Sequence, residues 1–280
     1  MVKDQHDPET FYGERSMVSC GCWHMMAVTA AGHAWTCGYN LQGQLGMGDT
    51  AHRLGFTQVD AGQLGGARIV MAASGWCHSV VVSADGRVWT FGHGDDGSLG
   101  HNDEQSRLVP TLLAAEVFKG SKIVTVVAGG NRTMAVGVNG ALWDWGAGSY
   151  GQLVLGDTND RRVPTLVGAE EALGGSQVRT IACDCEHTLA VTEAGELLVW
   201  GRGAQGRLGL DDEQDRLVPT RVDPHHFAHA PASAPACRWG GGGRGGVGDF
   251  SGVRMCRGLP CTWGCEGEGV RREMRCCKTY

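Results

Sequence analysis

Three histidines stand in matching surroundings along the chain: "GCWH" ends at His24, "GWCH" at His78 and "DCEH" at His187. Imidazoles set in this way could bind a transition metal or exchange protons near neutral pH. Three glycine-rich stretches are as suggestive: "GHGDDG" (92–97), "GAGSYG" (146–151) and "GRGAQG" (201–206) all fit G-x-G-x-x-G. Where such a loop opens a helix, its bare backbone amides cradle a pyrophosphate. Context argues against both. The matching place in "GGNR" is Arg132, which a ligand set would not tolerate. If the copies are related by rotation, the imidazoles stand apart, each bonding backbone of a neighbouring unit. The glycine stretches run on into "SLG", "QLV" and "RLG", with no amphipathic helix, so their glycines are read as turn formers. Asn131-Arg132-Thr133 fits the glycosylation sequon but falls in a strand-like run. No P-loop, G-x-S-x-G elbow or Ser-His-Asp arrangement is recognisable. The expectation is therefore no catalytic residue, no cofactor and no metal.

What must position these residues is an internal repeat. A turn glycine recurs at Gly32, Gly86, Gly140 and Gly195, with spacings of 54, 54 and 55 residues. The glycine closing the following aromatic run recurs at Gly38, Gly92, Gly146 and Gly201 in the same frame. Arg53, Arg107, Arg161 and Arg216 keep the period downstream, as do Pro110, Pro164 and Pro219. Within one unit, Val80–Val82 leads to Asp85-Gly86 and then to Val88, Trp89, Thr90 and Phe91. Asp-Gly predicts a two-residue hairpin turn with both central residues at positive φ. An apolar run before the hairpin ("ARIVMAAS") supplies a third strand, and "RLVPTLL" a fourth, at the edge because proline cannot donate to a central ladder. No segment longer than about one turn reads as helix. So small a sheet cannot bury both apolar faces alone, and copies must stack on one another. Trp35, Trp89, Trp143, Trp145 and Trp200 fall on the aromatic strand and are expected in the core between sheets.

The predicted fold is all-β: a partial or small β-propeller of about four four-stranded antiparallel blades. Residues 1–15 form an N-terminal extension, 16–227 the four repeats, and 228–280 a Gly/Cys/Arg-rich, largely irregular tail. Residues 1–223 hold sixteen basic and twenty-six acidic side chains, net −10, whereas the remainder holds eight basic and four acidic. An acidic body repels phosphate, so direct nucleic-acid binding by the repeats is not expected. No apolar window is long enough to span a membrane, and the polar start lacks a signal-peptide pattern, which reads as an intracellular chain, cytoplasmic or nuclear. Cys20, Cys22, Cys37, Cys77, Cys183 and Cys185 lie in strand-like runs, where cysteine acts as a small buried hydrophobe. The tail cysteines lack paired C-x2-C knuckles, so a zinc site is not expected there.

The segments "GWCHSVVVSADGRVWTFGHGDDGSLGHND" and "GDTNDRRVPTLVGAEEALGGSQVRTIACDCEHTLAVTEAGELLVWGRGAQGRLG" resemble repeats of the regulator of chromosome condensation family. The resemblance covers about Ser16 to Phe227. It implies a seven-bladed propeller, truncated here, and several known settings. These are nucleotide exchange on the small GTPase Ran, interaction modules in HECT-type ubiquitin ligases and a ciliary GTPase regulator, and the plant ultraviolet-B photoreceptor. "GWCH" is similar to the photoreceptor's "GWRH", with Cys77 in place of the arginine and no tryptophan in the third and fourth copies. Four of seven blades would cover about 206°, leaving an open arc or a strained closure, prone to self-association through its edges.

On this reading the repeat supplies a scaffold, and specificity resides where copies differ. The leading expectation is a non-enzymatic module that binds a protein partner, with Asp95, Asp96, Asp144, Tyr150, Arg202 and Arg207 as candidate contacts. Alternatives implied by the resemblance are regulation of a Ran-like small GTPase, substrate recruitment for a HECT-type ligase, and ultraviolet-B reception.

Overall fold

The computed structural model describes residues 17–168, 173 and 175–227. They form four antiparallel sheets of four strands. Blade 1 comprises β1 (Met17–Cys20), β2 (His24–Val28), β3 (Ala34–Gly38) and β4 (Arg53–Gln58). Blade 2 comprises β5 (Ile69–Ser74), β6 (His78–Ser83), β7 (Val88–Gly92) and β8 (Arg107–Leu112). Blade 3 comprises β9 (Ile123–Gly129), β10 (Arg132–Gly137), β11 (Leu142–Gly146) and β12 (Arg161–Leu166). Blade 4 comprises β13 (Val178–Cys183), β14 (His187–Thr192), β15 (Leu197–Gly201) and β16 (Arg216–Arg221). Strand order follows the chain in every sheet, so the fourth strand, which bears a proline in blades 2, 3 and 4, is an edge. The tail, with its candidate cysteines, lies outside the described residues, as does the N-terminal extension. Among the described residues no helix is long and apolar enough to cross a membrane.

The hairpin differs from its sequence-based expectation. Of the two residues Asp85 and Gly86, glycine alone has a positive φ, at 88°. Gly86 N–H donates to Ser83 O and Ser83 N–H to Arg87 O, which is a three-residue loop: a type I turn followed by a left-handed glycine. The same pair of bonds recurs at Thr29/Gly32/His33, Gly137/Gly140/Ala141 and Thr192/Gly195/Glu196. A second constraint holds the glycine bare. A Cβ on Gly86 would stand 2.8 Å from Lys122 Cα of blade 3, and one on Gly32 would stand 3.1 Å from Arg68 Cα of blade 2.

Three apolar layers are each shared by two successive blades. Met26, Val28 and Ala34 of blade 1 pack with Ile69, Ala72, Val81, Trp89 and Phe91 of blade 2. Val80, Val82 and Val88 of blade 2 pack with Ile123, Val126, Trp143 and Trp145 of blade 3. Phe118 meets Trp143 edge to face at 5.7 Å and 86°, a favoured aromatic geometry. Met134, Val136 and Leu142 of blade 3 pack with Val178, Ile181 and Trp200 of blade 4. Trp89, Trp143, Trp145 and Trp200 are buried, as expected of an inter-blade aromatic strand, while Trp35 is half-buried.

The cysteines are less uniform than their sequence context suggests. Cys37 and Cys77 are buried and Cys183 and Cys185 partly so, but Cys20 and Cys22 are exposed. Burial pushes the Cys183 thiol up to about 12 and raises Cys185 further, so neither supplies a thiolate near neutral pH.

Candidate functional site

The histidine series occupies one structural place, the first residue of the second strand, paired with the glycine that closes the third. The pairs are His24 with Gly38, His78 with Gly92, Arg132 with Gly146 and His187 with Gly201. His24 Nε2 lies 2.9 Å from Ser79 Oγ of blade 2, and His78 Nε2 lies 2.9 Å from Thr133 Oγ1 of blade 3. Each hydroxyl spends its proton on a carbonyl: Ser79 on Gln44 O at 2.7 Å, Thr133 on Ser98 O at 3.0 Å. The imidazole must therefore donate from Nε2, which fixes the neutral tautomer. Burial holds His24 down to about 4 and His78 to about 3. The expected partner was neighbouring backbone; the structure inserts a hydroxyl between ring and carbonyl, linking blade to blade. These are struts, and His24 and His78 serve different interfaces.

Blade 3 replaces the strut with a buried ion pair. Arg132 and Asp144 are both 0 % exposed. Arg132 Nε donates to Asp144 Oδ1 at 2.9 Å and Nη2 to Asp144 Oδ2, while Nη1 reaches Thr188 of blade 4. Burial pushes the Asp144 carboxyl up to about 6, against the pull of the guanidinium. The repeat frame places Asp144 where Thr36 and Thr90 stand in blades 1 and 2. Both threonines donate to loop carbonyls, Leu45 O and Leu99 O. The arginine and the aspartate thus replace a histidine and a threonine together. Asp144 was an expected partner contact; fully buried with Arg132, it cannot touch a partner in this structure.

The glycine stretches form the loop joining the third and fourth strands, holding at most a single 3-10 turn, as at Asp95–Gly97 and Ala204–Gly206. Their bare positions admit protein: a Cβ on Gly151 would stand 2.9 Å from Leu217 Cα, and one on Gly94 2.6 Å from the Gln105 carbonyl carbon. At the foot of each loop an aspartate clasps an arginine four residues on, in Asp49–Arg53, Asp103–Arg107, Asp157–Arg161 and Asp212–Arg216 at 2.6–2.7 Å. The recurring arginines are therefore loop clasps.

Around this constant frame one rim changes from blade to blade. Blade 1 carries Trp23, 50 % exposed, near Tyr39, whose ring stacks on His52 at 4.8 Å. Blade 2 carries exposed Asp95, 3.4 Å from His93, and half-buried Asp96, which accepts a 3.0 Å hydrogen bond from Asn131 of blade 3. Asn131 is in the turn ahead of β10 rather than in a strand. Between blades 3 and 4, Arg202 lies over the Tyr150 ring at 4.7 Å and pairs with Glu186 at 2.8 Å, and Arg207 holds the other Glu186 oxygen. The structure thus gathers Tyr150, Arg202 and Arg207, far apart in sequence, around a carboxylate absent from the sequence-based set. The signal was available: the residue before each strut is Trp23, Cys77, Asn131 or Glu186, as variable as the loops. Among the described residues no three His, Cys, Asp or Glu side chains converge to hold a metal.

Comparison with known proteins agrees with this architecture. The profile of the RCC1-like domain matches residues 3–244. The ultraviolet-B receptor UVR8 of Arabidopsis thaliana is 35% identical over 216 residues, 77% of this chain and 48% of the receptor. The probable ubiquitin-protein ligase HERC4 of Rattus norvegicus is 34% identical over 213 residues, 76% of this chain and 20% of the ligase. Among solved structures, human WBSCR16 superposes with a TM-score of 0.66 at 28% identity, over 74% of this chain and 52% of that one. Prp20p of Saccharomyces cerevisiae superposes at 0.62 and 21% identity, over 74% of this chain and 50% of that one. The chain therefore spans about half the length of UVR8 and a fifth of HERC4. Repeat, blade architecture and profile agree, and the chain belongs to the RCC1-like domain family of β-propeller proteins.

Proposed function

We propose that this chain is a non-enzymatic interaction module that recognises a protein partner through the variable rim. One observation carries the reading. Clasp and turn positions repeat from blade to blade and the strut histidine stands in three of the four, whereas rim positions hold Trp23, Asp95, Asp96, Tyr150, Glu186 and Arg202 without repetition. A scaffold conserved within one molecule and a rim varied on top of it is the pattern of a binding surface on a rigid support. Exposed aromatic and arginine side chains are suited to such contacts. The test is proximity labelling in cells with the full chain, comparing wild type with Trp23→Ala, Asp96→Lys and Tyr150→Ala. A set of partners lost from the rim variants, with melting temperatures unchanged, supports the reading. An identical partner set from all four proteins refutes it.

A narrower reading is regulation of a small GTPase, drawn from the likeness to Prp20p, a structure described with its binding to Gsp1p and histones. Exchange of this kind needs no chemistry from the propeller: a loop pressed near the nucleotide stabilises the empty GTPase. Release of labelled GDP from a Ran-like GTPase is the measurement, and no acceleration by the full chain removes the narrower reading alone. For ligase relatives such as HERC4, substrate recruitment is the corresponding role, since the aligned part is a fifth of that chain.

A further inference from the structure

The hairpin between β10 and β11 holds a dipeptide that the other blades lack. Asn139 is followed by Gly140, whereas Asn40, Asn102, Asn131 and Asn159 precede Leu41, Asp103, Arg132 and Asp160. Before glycine, no Cβ hinders the next backbone nitrogen from approaching the asparagine side-chain carbonyl. Position matters as much as composition. Asn40 is buried, with Oδ1 accepting from Leu45 N–H, and Asn131 donates to Asp96. Asn139 is exposed, beside Val138 at 69 % exposure.

Two donors are aimed at the amide oxygen of Asn139. Ala141 N–H and the Ser121 hydroxyl each stand 3.2 Å from Oδ1. When a nucleophile adds to the amide carbon, negative charge gathers on that oxygen, and donors already in place stabilise it. One contact opposes the reaction. Gly140 N–H donates to Gly137 O at 2.9 Å, and this bond must open before the nitrogen can turn toward Asn139 Cγ. Opening one exposed hydrogen bond lowers the reactive population about fivefold, a loss that two donors on the oxygen offset. The repeat shows further that the acid form fits this turn. Blade 2 has Asp85 in the same place, accepting from the Ser83 hydroxyl and from Arg87 Nε at 2.8 Å. In blade 3 the places of Ser83 and Arg87 are taken by Gly137 and Ala141, and Ser121 supplies the hydroxyl instead.

We propose that Asn139 is a site of self-modification by deamidation, promoted by Ser121 and Ala141. The Gly140 nitrogen gives its proton to solvent hydroxide and bonds to Asn139 Cγ. The Cγ–Nδ2 bond then breaks, and the leaving nitrogen takes a proton from water and departs as ammonia, which closes a cyclic succinimide. Water opens the ring in one of two ways. Addition at Cγ breaks the new bond to Gly140 and yields aspartate. Addition at the main-chain carbonyl breaks the original peptide bond and yields isoaspartate, whose backbone runs through the former side chain. Aspartate keeps the turn, as Asp85 does in blade 2. Isoaspartate adds a methylene to the loop and displaces Gly140, on which a Cβ would stand 3.2 Å from Gln177 Cβ of blade 4. The hairpin is at the opposite end of the sheet from the loop after Gly146, since β10 pairs with β11 from Arg132–Gly146 to Val136–Leu142.

The test ages the full chain at physiological temperature and mildly alkaline pH and maps its peptides by mass. Isoaspartate is counted by methyl transfer from labelled S-adenosylmethionine, using an isoaspartate-specific methyltransferase. Asn139 converts to both acids at least about tenfold faster than the exposed Asn102 and Asn159, whose following residues carry a Cβ. Ser121→Ala slows the conversion at least about twofold, and Ser121→Thr restores it. The same chain unfolded in urea converts no more than about tenfold faster than the folded one, because opening the turn takes little. Conversion of Asn102 or Asn159 ahead of Asn139 overturns the proposal. An unchanged rate in Ser121→Ala also overturns it, since the reaction would then belong to the dipeptide alone. A larger excess in urea means that the bond to Gly137 prevails, and overturns it as well. None of these measurements involves the rim, so the outcome is independent of the function proposed above.

Discussion

Replacing Asp144 by threonine, the residue in its place in blades 1 and 2, leaves the Arg132 guanidinium fully buried without a carboxylate. Arg132 would keep Thr188 and the Met134 sulfur, which lies 3.1 Å from Nη2, but neither neutralises a charge. Breaking a buried ion pair by removing one member costs about 3–5 kcal/mol. For a chain with an m-value near 3 kcal/mol/M in urea, the midpoint falls by about 1 M or more. The second substitution should restore most of this. Arg132→His in the Asp144→Thr background rebuilds the strut of blades 1 and 2, with imidazole Nε2 donating to Thr188 as His24 donates to Ser79. The double variant should lie within about 1.5 kcal/mol of wild type, the remainder being the smaller volume of histidine. A double-mutant cycle then shows a coupling of at least about 2 kcal/mol. If Asp144→Thr alone costs under 1 kcal/mol, or if the double variant is no better than the single one, the paired replacement of strut and counter-ion is wrong as a physical account.

Acidification provides a second check. His24 and His78 have folded values near 4 and 3, below the free imidazole near 6.5, so the unfolded chain binds their protons first and stability falls as pH drops below about 6.5. Asp144, raised to about 6, acts with opposite sign between 6 and its unfolded value. At pH 4.5 the balance is a net loss of about 3 kcal/mol relative to pH 7, and a urea midpoint that is flat or rises would refute it. Gly97→Ala and Gly206→Ala share a left-handed backbone at φ 77° and 67°, but the first also drives a methyl into Arg162 of the next blade. The Gly206 change should cost about 1 kcal/mol and the Gly97 change at least 2 kcal/mol more; equal melting temperatures would mean that the contact of Gly97 with blade 3 is not tight. Glu186→Ala leaves Arg202 and Arg207 partly exposed, and should change stability by no more than about 1 kcal/mol while altering partner capture. A large loss of stability would reassign that cluster from recognition to architecture.

The sequence was most legible where local rules act. Alternation, turn glycines and the proline edge follow from the dihedral demands of short residues, and the period from the need to bury each small sheet against a copy of itself. Even so, Asp85-Gly86 was assigned the wrong turn type. Its dipeptide suits a two-residue loop, but the loop also has to meet Lys122 of the next blade, and that contact belongs to no local window. The residues of the proposed rim were read from the sequence in part. Divergence between copies pointed to Asp95, Asp96, Tyr150, Arg202 and Arg207, and missed Glu186 because it sits beside a residue read as scaffold.

Asp144 marks the boundary most clearly. A lone carboxylate among tryptophans reads as an exposed exception, because sequence does not say that Arg132, twelve residues away, crosses from the neighbouring strand to meet it. The amino-acid order by itself determined that this chain is a set of repeated four-stranded units and which positions are free to vary. Tertiary structure alone decided which side chains pair across blades and which charges are sealed from water. Periodicity is a property of each unit, readable one window at a time, whereas partnership depends on the distance between units, which appears only when they stack.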